Sequence, residues 1–101
     1  MADTQTASLQ KLDDHRFALS GTLDFASVPG IFSDASGVFP RTGDYTVDLS
    51  GVTSANSALM ALLIEWQAQA GKQGQTLRIE QPPEHIVRLA SVCKAQTLIG
   101  L

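Results

Sequence analysis

The chain has 101 residues, of which 44% are apolar, so it can form one domain with a single core and is too apolar for wholesale disorder. Its net charge of -3 disfavours direct binding to nucleic acid or to an anionic membrane surface. The single cysteine, Cys93, excludes an internal disulfide, and no Cys/His cluster has the spacing of a metal site.

The N-terminus and the apolar runs bear on location. Residues 1–7 are polar, lack the basic and apolar regions of a signal peptide, and are expected to be flexible. The longest apolar run, residues 58–64, is far shorter than the roughly 20 residues that cross a bilayer. We therefore expect a single domain over residues 1–101, located in the cytoplasm.

The first 44 residues predict a hairpin and a short helix. The alternation of Phe17 and Leu19 is typical of a strand with one buried face. Ser27 is a good helix N-cap and Gly37 a good stop. In chain order we expect an edge strand at 8–11, a turn at 13–14, a strand at 16–20, a loop at 22–26, a helix from 28 to about 37, and a loop at 38–44.

Three phenylalanines, Phe25, Phe32 and Phe39, flank this first helix. A place in the core is the leading expectation for each. Phe32 is the one we predict as an interface anchor, because the helix is short and is expected to lie beside the turn that precedes Ser57.

The stretch 45–66 dominates the sequence. An alternating strand at 45–49 leads into a polar turn at 50–56 and then into a helix from Ser57 to Ala70, with Gly71 and Gly74 as stops. This helix is apolar on almost every side, and such a helix is normally buried all round. A chain this short has few elements with which to cover it.

Two apolar stripes follow from the 100° turn per residue of an α-helix. The first, bulky stripe is Leu59, Leu62, Leu63, Trp66 and Ala70, and we expect it to pack on the sheet. The second stripe is Ser57, Met60, Ala61, Ile64 and Ala68. It is either covered within the domain, for instance by the first helix, or exposed as a docking face. We favour docking, because contiguous exposed apolar patches mark interaction sites.

Ser57, at the head of the second stripe, has two interpretations. Asn56 or Ser57 can cap the helix, which local sequence favours. Alternatively, Ser57 is a phosphoacceptor, since a phosphate there would meet free backbone N–H groups and the positive end of the helix dipole.

The last part predicts a further strand and helix. Residues 76–80 alternate, the pair Pro82-Pro83 ends the strand, and Ile86, Leu89, Ala90 and Cys93 form one apolar stripe, which makes Cys93 a predicted core residue. The element order β-β-α-β-α-β-α predicts an α/β fold. Its sheet should have four strands, mostly parallel, with an antiparallel strand at the N-terminus.

Nothing in the sequence argues for catalysis. His15 and His85 are far apart without partners at triad or ligand spacing, and no glycine-rich phosphate loop is present. Asp13, Asp14 and Asp24 are typical of turns. We expect no cofactor and no metal.

The segment 47–63, VDLSGVTSANSALMALL, resembles the signature of STAS domains, in which D-L-S-x-V precedes an Asp-Ser or Asp-Thr pair at the start of a helix. Residues 19–24, LSGTLD, are similar to the second strand and turn of that family. The resemblance covers nearly the whole chain and implies a STAS-like fold.

Within the family, residues 62–66 and 86–98 and the brevity of the chain are most similar to the small STAS subunit of phospholipid ABC transporters of Gram-negative bacteria. That resemblance implies a non-catalytic subunit that binds the transporter's ATPase subunit (MlaF-like), in a complex with a permease and an MCE protein. It would support maintenance of outer-membrane lipid asymmetry from the cytoplasmic side of the inner membrane.

The same resemblance assigns site residues. Ser57 matches the family's Ser/Thr, Asn56 the acidic position before it, and Phe32 an aromatic position on the first helix. With the second stripe, the predicted partner-binding set is Phe32, Thr53, Ser54, Asn56, Ser57, Ala58, Met60, Ala61 and Ile64.

Two other functions stay open. The first is an anti-sigma factor antagonist phosphorylated on Ser57, although Asn56 replaces the usual Asp and Ala58 stands near where phosphorylated relatives carry a glycine. The second is a small ligand-binding sensor, for which the sequence indicates no pocket.

Overall fold

The computed structural model describes residues 7–94, which form the predicted alternation of strands and helices. In chain order the elements are β1 (Ser8–Asp13), β2 (Arg16–Leu23), α1 (Val28–Ser36), β3 (Tyr45–Ala55), α2 (Ser57–Lys72), β4 (Leu77–Glu80) and α3 (Glu84–Val92). Of residues 1–7, which were expected to be flexible, 1–6 lie outside the described residues, as does the tail 98–101. Ala7 is half-buried and packs against the core.

The strands form one four-stranded sheet in the order β1-β2-β3-β4. β1 pairs antiparallel with β2, whereas β2 with β3 and β3 with β4 are parallel. The predicted α/β class, the element order and the antiparallel N-terminal strand are therefore confirmed.

One face of the sheet carries the core. Phe17, Leu19 and Leu23 of β2 are buried and alternate with half-buried residues, as a strand with one packed face requires. The opposite face is polar, and there Arg16 of β2 pairs with Glu80 of β4. Hydrogen bonding to Glu80, and the charge of Glu80, raise the pKa of Arg16, so its guanidinium stays charged at neutral pH.

Helix α2 packs its first stripe on the covered face and contacts both α1 and α3. All five residues of that stripe are at most 2% exposed, which confirms the predicted packing face. Ile31 and Ala35 of α1, with Ile86 and Ala90 of α3, join the same core.

β3 is longer than its sequence pattern indicates. The prediction of a polar turn over 50–56 is wrong, because the strand continues to Ala55. Its second half pairs with β2, with Gly51 opposite Ser20 and Ala55 opposite Leu23. The same pairing makes the loop predicted over 22–26 wrong at its first two residues, which belong to β2. Backbone hydrogen bonds between strands here outweigh the low strand propensity of Ser, Gly and Ala.

Two helix ends also differ from expectation. α2 continues through Gly71 to Lys72, and the positive φ of 71° at Gly74 follows two residues later. Cys93 is exposed, so its prediction as a core residue is wrong. It lies at the C-cap of α3, where the chain leaves the helix and the periodicity that the stripe assumes no longer applies.

An aromatic cluster fixes the loop between α1 and β3 to the core. Phe39 lies 4.9 Å from both Phe17 and Trp66 and 4.8 Å from Tyr45, measured between ring centroids. These edge-on and tilted contacts are favourable geometries for aromatic rings. Phe39 is thus half-buried and packs against the core.

Replacement of Gly51 or of Gly71 by alanine is expected to change the stability of the protein in opposite directions. A Cβ at Gly51 would lie 2.8 Å from Ser20 Cβ, whereas one at Gly71 would meet nothing within 4 Å. We expect Gly51→Ala to destabilise the protein by about 1–3 kcal/mol through this clash. Gly71→Ala should stabilise it by roughly 0.5–1 kcal/mol by raising helix propensity. Urea unfolding of both variants measures the difference, and equal midpoints would contradict the close β2–β3 approach.

Candidate functional site

The carboxyl end of β3 passes into α2 through a tightly held turn. Asn56 is the N-cap, and its Oδ1 accepts a hydrogen bond of 2.8 Å from the N–H of Ala58. Its own N–H donates to the carbonyl of Leu23 at 3.2 Å. The turn is therefore tied both to its own helix and to the end of β2.

A second element braces this turn. The ring Nε2 of His85, at the start of α3, lies 2.9 Å from the carbonyl oxygen of Ala55. Because a carbonyl only accepts, Nε2 is the donor in this contact. His85, predicted as a surface residue, is exposed but links α3 to the turn.

Ser57 is exposed at the first position of α2. Since Asn56 supplies the cap, the Ser57 hydroxyl is not needed for it, which resolves the two alternatives for capping in favour of Asn56. Ser57 is thus an exposed serine at the N-terminus of a 16-residue helix, where backbone N–H groups lack partners within the helix.

The second stripe is mostly on the surface. Ser57, Ala61 and Ala68 are exposed and Ile64 is half-buried, whereas Met60 is only 8% exposed and joins the core. Of the remaining predicted partner-binding residues, Thr53, Ser54 and Asn56 are exposed, Phe32 is half-buried and Ala58 is 2% exposed. Met60 and Ala58 thus present almost no surface to a partner and support the turn from below.

An apolar groove runs between α1 and α2. It has a volume of about 360 Å³, and it is lined by Val28, Pro29, Phe32, Ala61, Leu62 and Glu65, which we call the α1–α2 groove. Helix α1 thus lies beside Ala61 of the second stripe, while its predicted position beside the Ser57 turn remains a prediction. Glu65 is the only charged residue of the groove.

Phe25 is an exposed aromatic residue whose exposure the sequence pattern did not predict. Its expected place in the core is wrong, because the side chain is 70% exposed in the turn between β2 and α1. Leu23 pairs with Ala55, so Phe25 and Ser57 both follow neighbouring strands at the same end of the sheet. The weak signal for its exposure was its position between a strand end and the Ser27 N-cap.

Neither a metal site nor a membrane-spanning helix is found among the described residues. Over residues 7–94, no three His, Cys, Asp or Glu side chains lie together as a metal site would require. In the same part of the chain, no helix is long and apolar enough to cross a membrane. The arrangement is suited to contact with another macromolecule through an apolar groove and a serine-bearing turn.

Comparison with known proteins agrees with this geometry. The family model described as "Mlab, STAS domain" matches residues 8–100. The fold is also similar to that of a solved structure titled "Structure of the Anti-Sigma Factor Antagonist SpoIIAA in its Unphosphorylated Form", with a TM-score of 0.69. The match covers 92% of this chain and 84% of the other at 10% sequence identity. No curated protein matches the chain by sequence.

The chain belongs to the STAS-domain family, in the group whose model is described as MlaB-like. At 10% identity, the similarity to SpoIIAA concerns the fold alone. STAS domains act through partner proteins, which accords with the exposed groove.

Asn56 offers a direct test of how the turn is held. Asn56→Ala removes the acceptor for the Ala58 N–H and should lower the free energy of unfolding by about 1 kcal/mol. Asn56→Asp, which restores the acidic residue expected from the family, should keep the bond and gain roughly 0.3–1 kcal/mol from the helix dipole at neutral pH. Thermal and urea unfolding measure both. An Ala variant as stable as the native chain would show that the cap contributes nothing.

Proposed function

We propose that this protein is a non-catalytic regulatory subunit that docks on the ATPase subunit of a phospholipid-transporting, Mla-type ABC transporter. It would support the assembly and activity of a complex that also holds a permease and an MCE protein, and so help to maintain outer-membrane lipid asymmetry. The observation that carries the proposal is the α1–α2 groove beside the Ser57 turn, in a chain of the MlaB-like STAS group.

The groove fits an apolar segment of a partner protein. Its walls are Val28, Pro29 and Phe32 on one side and Ala61 and Leu62 on the other, so contact would bury mainly carbon. The small side chain of Ala61 in this wall lets a partner side chain approach α2 closely. Burial of such a surface is favourable at roughly 25 cal/mol per Å² before association costs.

The charge of the groove can select and orient a partner. Glu65 is its single charged residue, and among residues 7–94 it forms no ion pair within the chain. A partner that places a Lys or Arg against Glu65 would gain both affinity and register. Phe25 is a large exposed aromatic residue at the same end of the sheet as Ser57, and aromatic residues often anchor interfaces.

Two substitutions test docking. Phe25→Ala removes an exposed aromatic side chain, and Ala61→Glu places a charge in the lining of the groove. Each should weaken binding to the purified transporter ATPase of the same organism about tenfold or more, because a desolvated charge or a lost anchor costs over 1 kcal/mol. Biolayer interferometry gives the affinities, and circular dichroism confirms folding.

Matched controls lie elsewhere on the surface. Leu12→Ala on β1 is the control for Phe25→Ala, because it also truncates an exposed apolar side chain, here 51% exposed. Val92→Glu on α3 is the control for Ala61→Glu, because it adds the same charge at a residue that is 80% exposed. Both should bind the ATPase normally. Equal affinity in all four variants would refute docking through this groove.

A second function is an anti-sigma factor antagonist that is phosphorylated on Ser57 in a partner-switching pathway. The exposed Ser57 hydroxyl beside the N-terminus of α2 favours it, since the helix dipole and free N–H groups would stabilise a phosphate. Neighbouring genes for a serine kinase and a sigma factor would accompany this function, whereas a permease and an MCE protein would accompany the first.

Phosphate transfer discriminates the two functions. With a serine kinase encoded beside this chain, transfer from ATP should be lost in Ser57→Ala and retained in Ser54→Ala, which removes another exposed hydroxyl close by in sequence. Mass spectrometry of the intact protein reads out the modification. Absence of transfer to the native chain would leave the transporter function as the better account.

A further inference from the structure

A pocket of about 350 Å³ lies at the end of the domain opposite the Ser57 turn. It is formed where α1 and α2 end and where β3 begins. Since β3 rises about 3.3 Å per residue, its 11 residues place the pocket roughly 30 Å from that turn. The pocket volume falls in the range of small-molecule sites.

Gln75 holds the loop that forms one wall. It is only 8% exposed, and its Nε2 donates to the carbonyls of Pro40 and Gly43, each at 2.9 Å. These carbonyls lie on either side of Arg41, so Gln75 holds the backbone of the loop from which the exposed Arg41 side chain reaches the pocket. Preorganisation of this kind is expected of a binding site rather than of an ordinary surface loop.

The side-chain oxygen of Gln75, Oε1, remains available as a hydrogen-bond acceptor. Carbonyl partners require Nε2 to point at them, which turns Oε1 of Gln75 the other way. Within residues 7–94, Trp66 Nε1 is the only fully buried side-chain polar atom without a partner. Oε1 has no donor in that range either and is not fully buried, so it can accept a hydrogen bond from a ligand.

Tyr45 supplies a second polar atom by the same reasoning. The residue is 5% exposed and lines the pocket, and its hydroxyl has no hydrogen-bond partner in the described part of the chain. Burial raises the pKa of Tyr45, so the hydroxyl stays protonated and can donate. The rings of Tyr45 and Phe39, 4.8 Å apart, give the pocket an aromatic wall.

The charge of the lining selects the ligand. Arg41 is the only charged residue of the pocket, and no described carboxylate lies within 4.0 Å of it. The rest of the polar lining is the Tyr45 hydroxyl, Ser36 and the amides of Gln69, Gln73 and Gln75. The C-terminal ends of α1 and α2 border the pocket and disfavour an anion, so a bound carboxylate depends on Arg41 for charge compensation.

We propose that this pocket binds a small aromatic carboxylic acid that carries an N–H or O–H donor on its ring. The carboxylate pairs with Arg41 and accepts from the Tyr45 hydroxyl, and the ring packs on Phe39 and Tyr45. The ring donor bonds to Oε1 of Gln75. This site is separate from the proposed docking surface, so its test does not depend on the transporter function.

Three related probes test the chemistry on the full chain. We expect 4-hydroxybenzoate to shift amide resonances of residues 36–41 and 73–75 in two-dimensional NMR spectra. Benzoate, which lacks the ring donor, and 4-hydroxybenzamide, which lacks the anion, should each bind about tenfold more weakly, as the loss of a hydrogen bond to a buried or charged group implies. Equal binding of all three, or shifts clustered elsewhere, would overturn the proposal.

Two conservative variants test the residues. Arg41→Ala should weaken 4-hydroxybenzoate about tenfold and leave 4-hydroxybenzamide unchanged, because only the former carries the charge that Arg41 meets. Tyr45→Phe keeps the ring and removes only the donor, and should weaken 4-hydroxybenzoate several-fold. Arg88→Ala, which removes an exposed cation on α3, is the matched control. Affinity equal to that of the native chain in both pocket variants would also overturn the proposal.

Discussion

The burial of α2 against the sheet determines most of the structure. Its bulky stripe, with Leu59, Leu63 and Trp66 at its centre, is almost completely removed from water. Once that face is fixed, the opposite face must turn outward, because α1 and α3 are too short to cover a helix of 16 residues. Exposure of small apolar groups next to α1 is therefore a consequence of the core itself.

The same packing gives the domain two different ends. At the carboxyl end of the parallel strands, the Asn56 cap and the bond from His85 hold an exposed serine beside an apolar groove. At the other end, the aromatic cluster and Gln75 hold a loop that places one cation at a pocket. α1 and α2 line both, so each proposed site rests on the rigidity of the same two helices.

The similarity to SpoIIAA shows how little of this depends on identical residues. A TM-score of 0.69 at 10% identity shows that the two chains share a backbone fold with few identical residues. In the proposed function, partner choice would depend on exposed residues of this chain such as Phe25, Glu65 and Ser57. This is the usual relation between a shared fold and divergent function.

What the sequence determines by itself is local and periodic. The 100° spacing along α2 was enough to predict which stripe packs, and alternation in 45–49 was enough to predict a strand. The family signature led to Ser57 and Phe32. The pairing of β2 with the second half of β3 was not predictable, because Ser, Gly and Ala favour turns locally and only a neighbouring strand extends them. Likewise the exposure of Phe25 and Cys93, and the pocket around Gln75, were decided by the tertiary structure, since burial depends on residues far away in the chain.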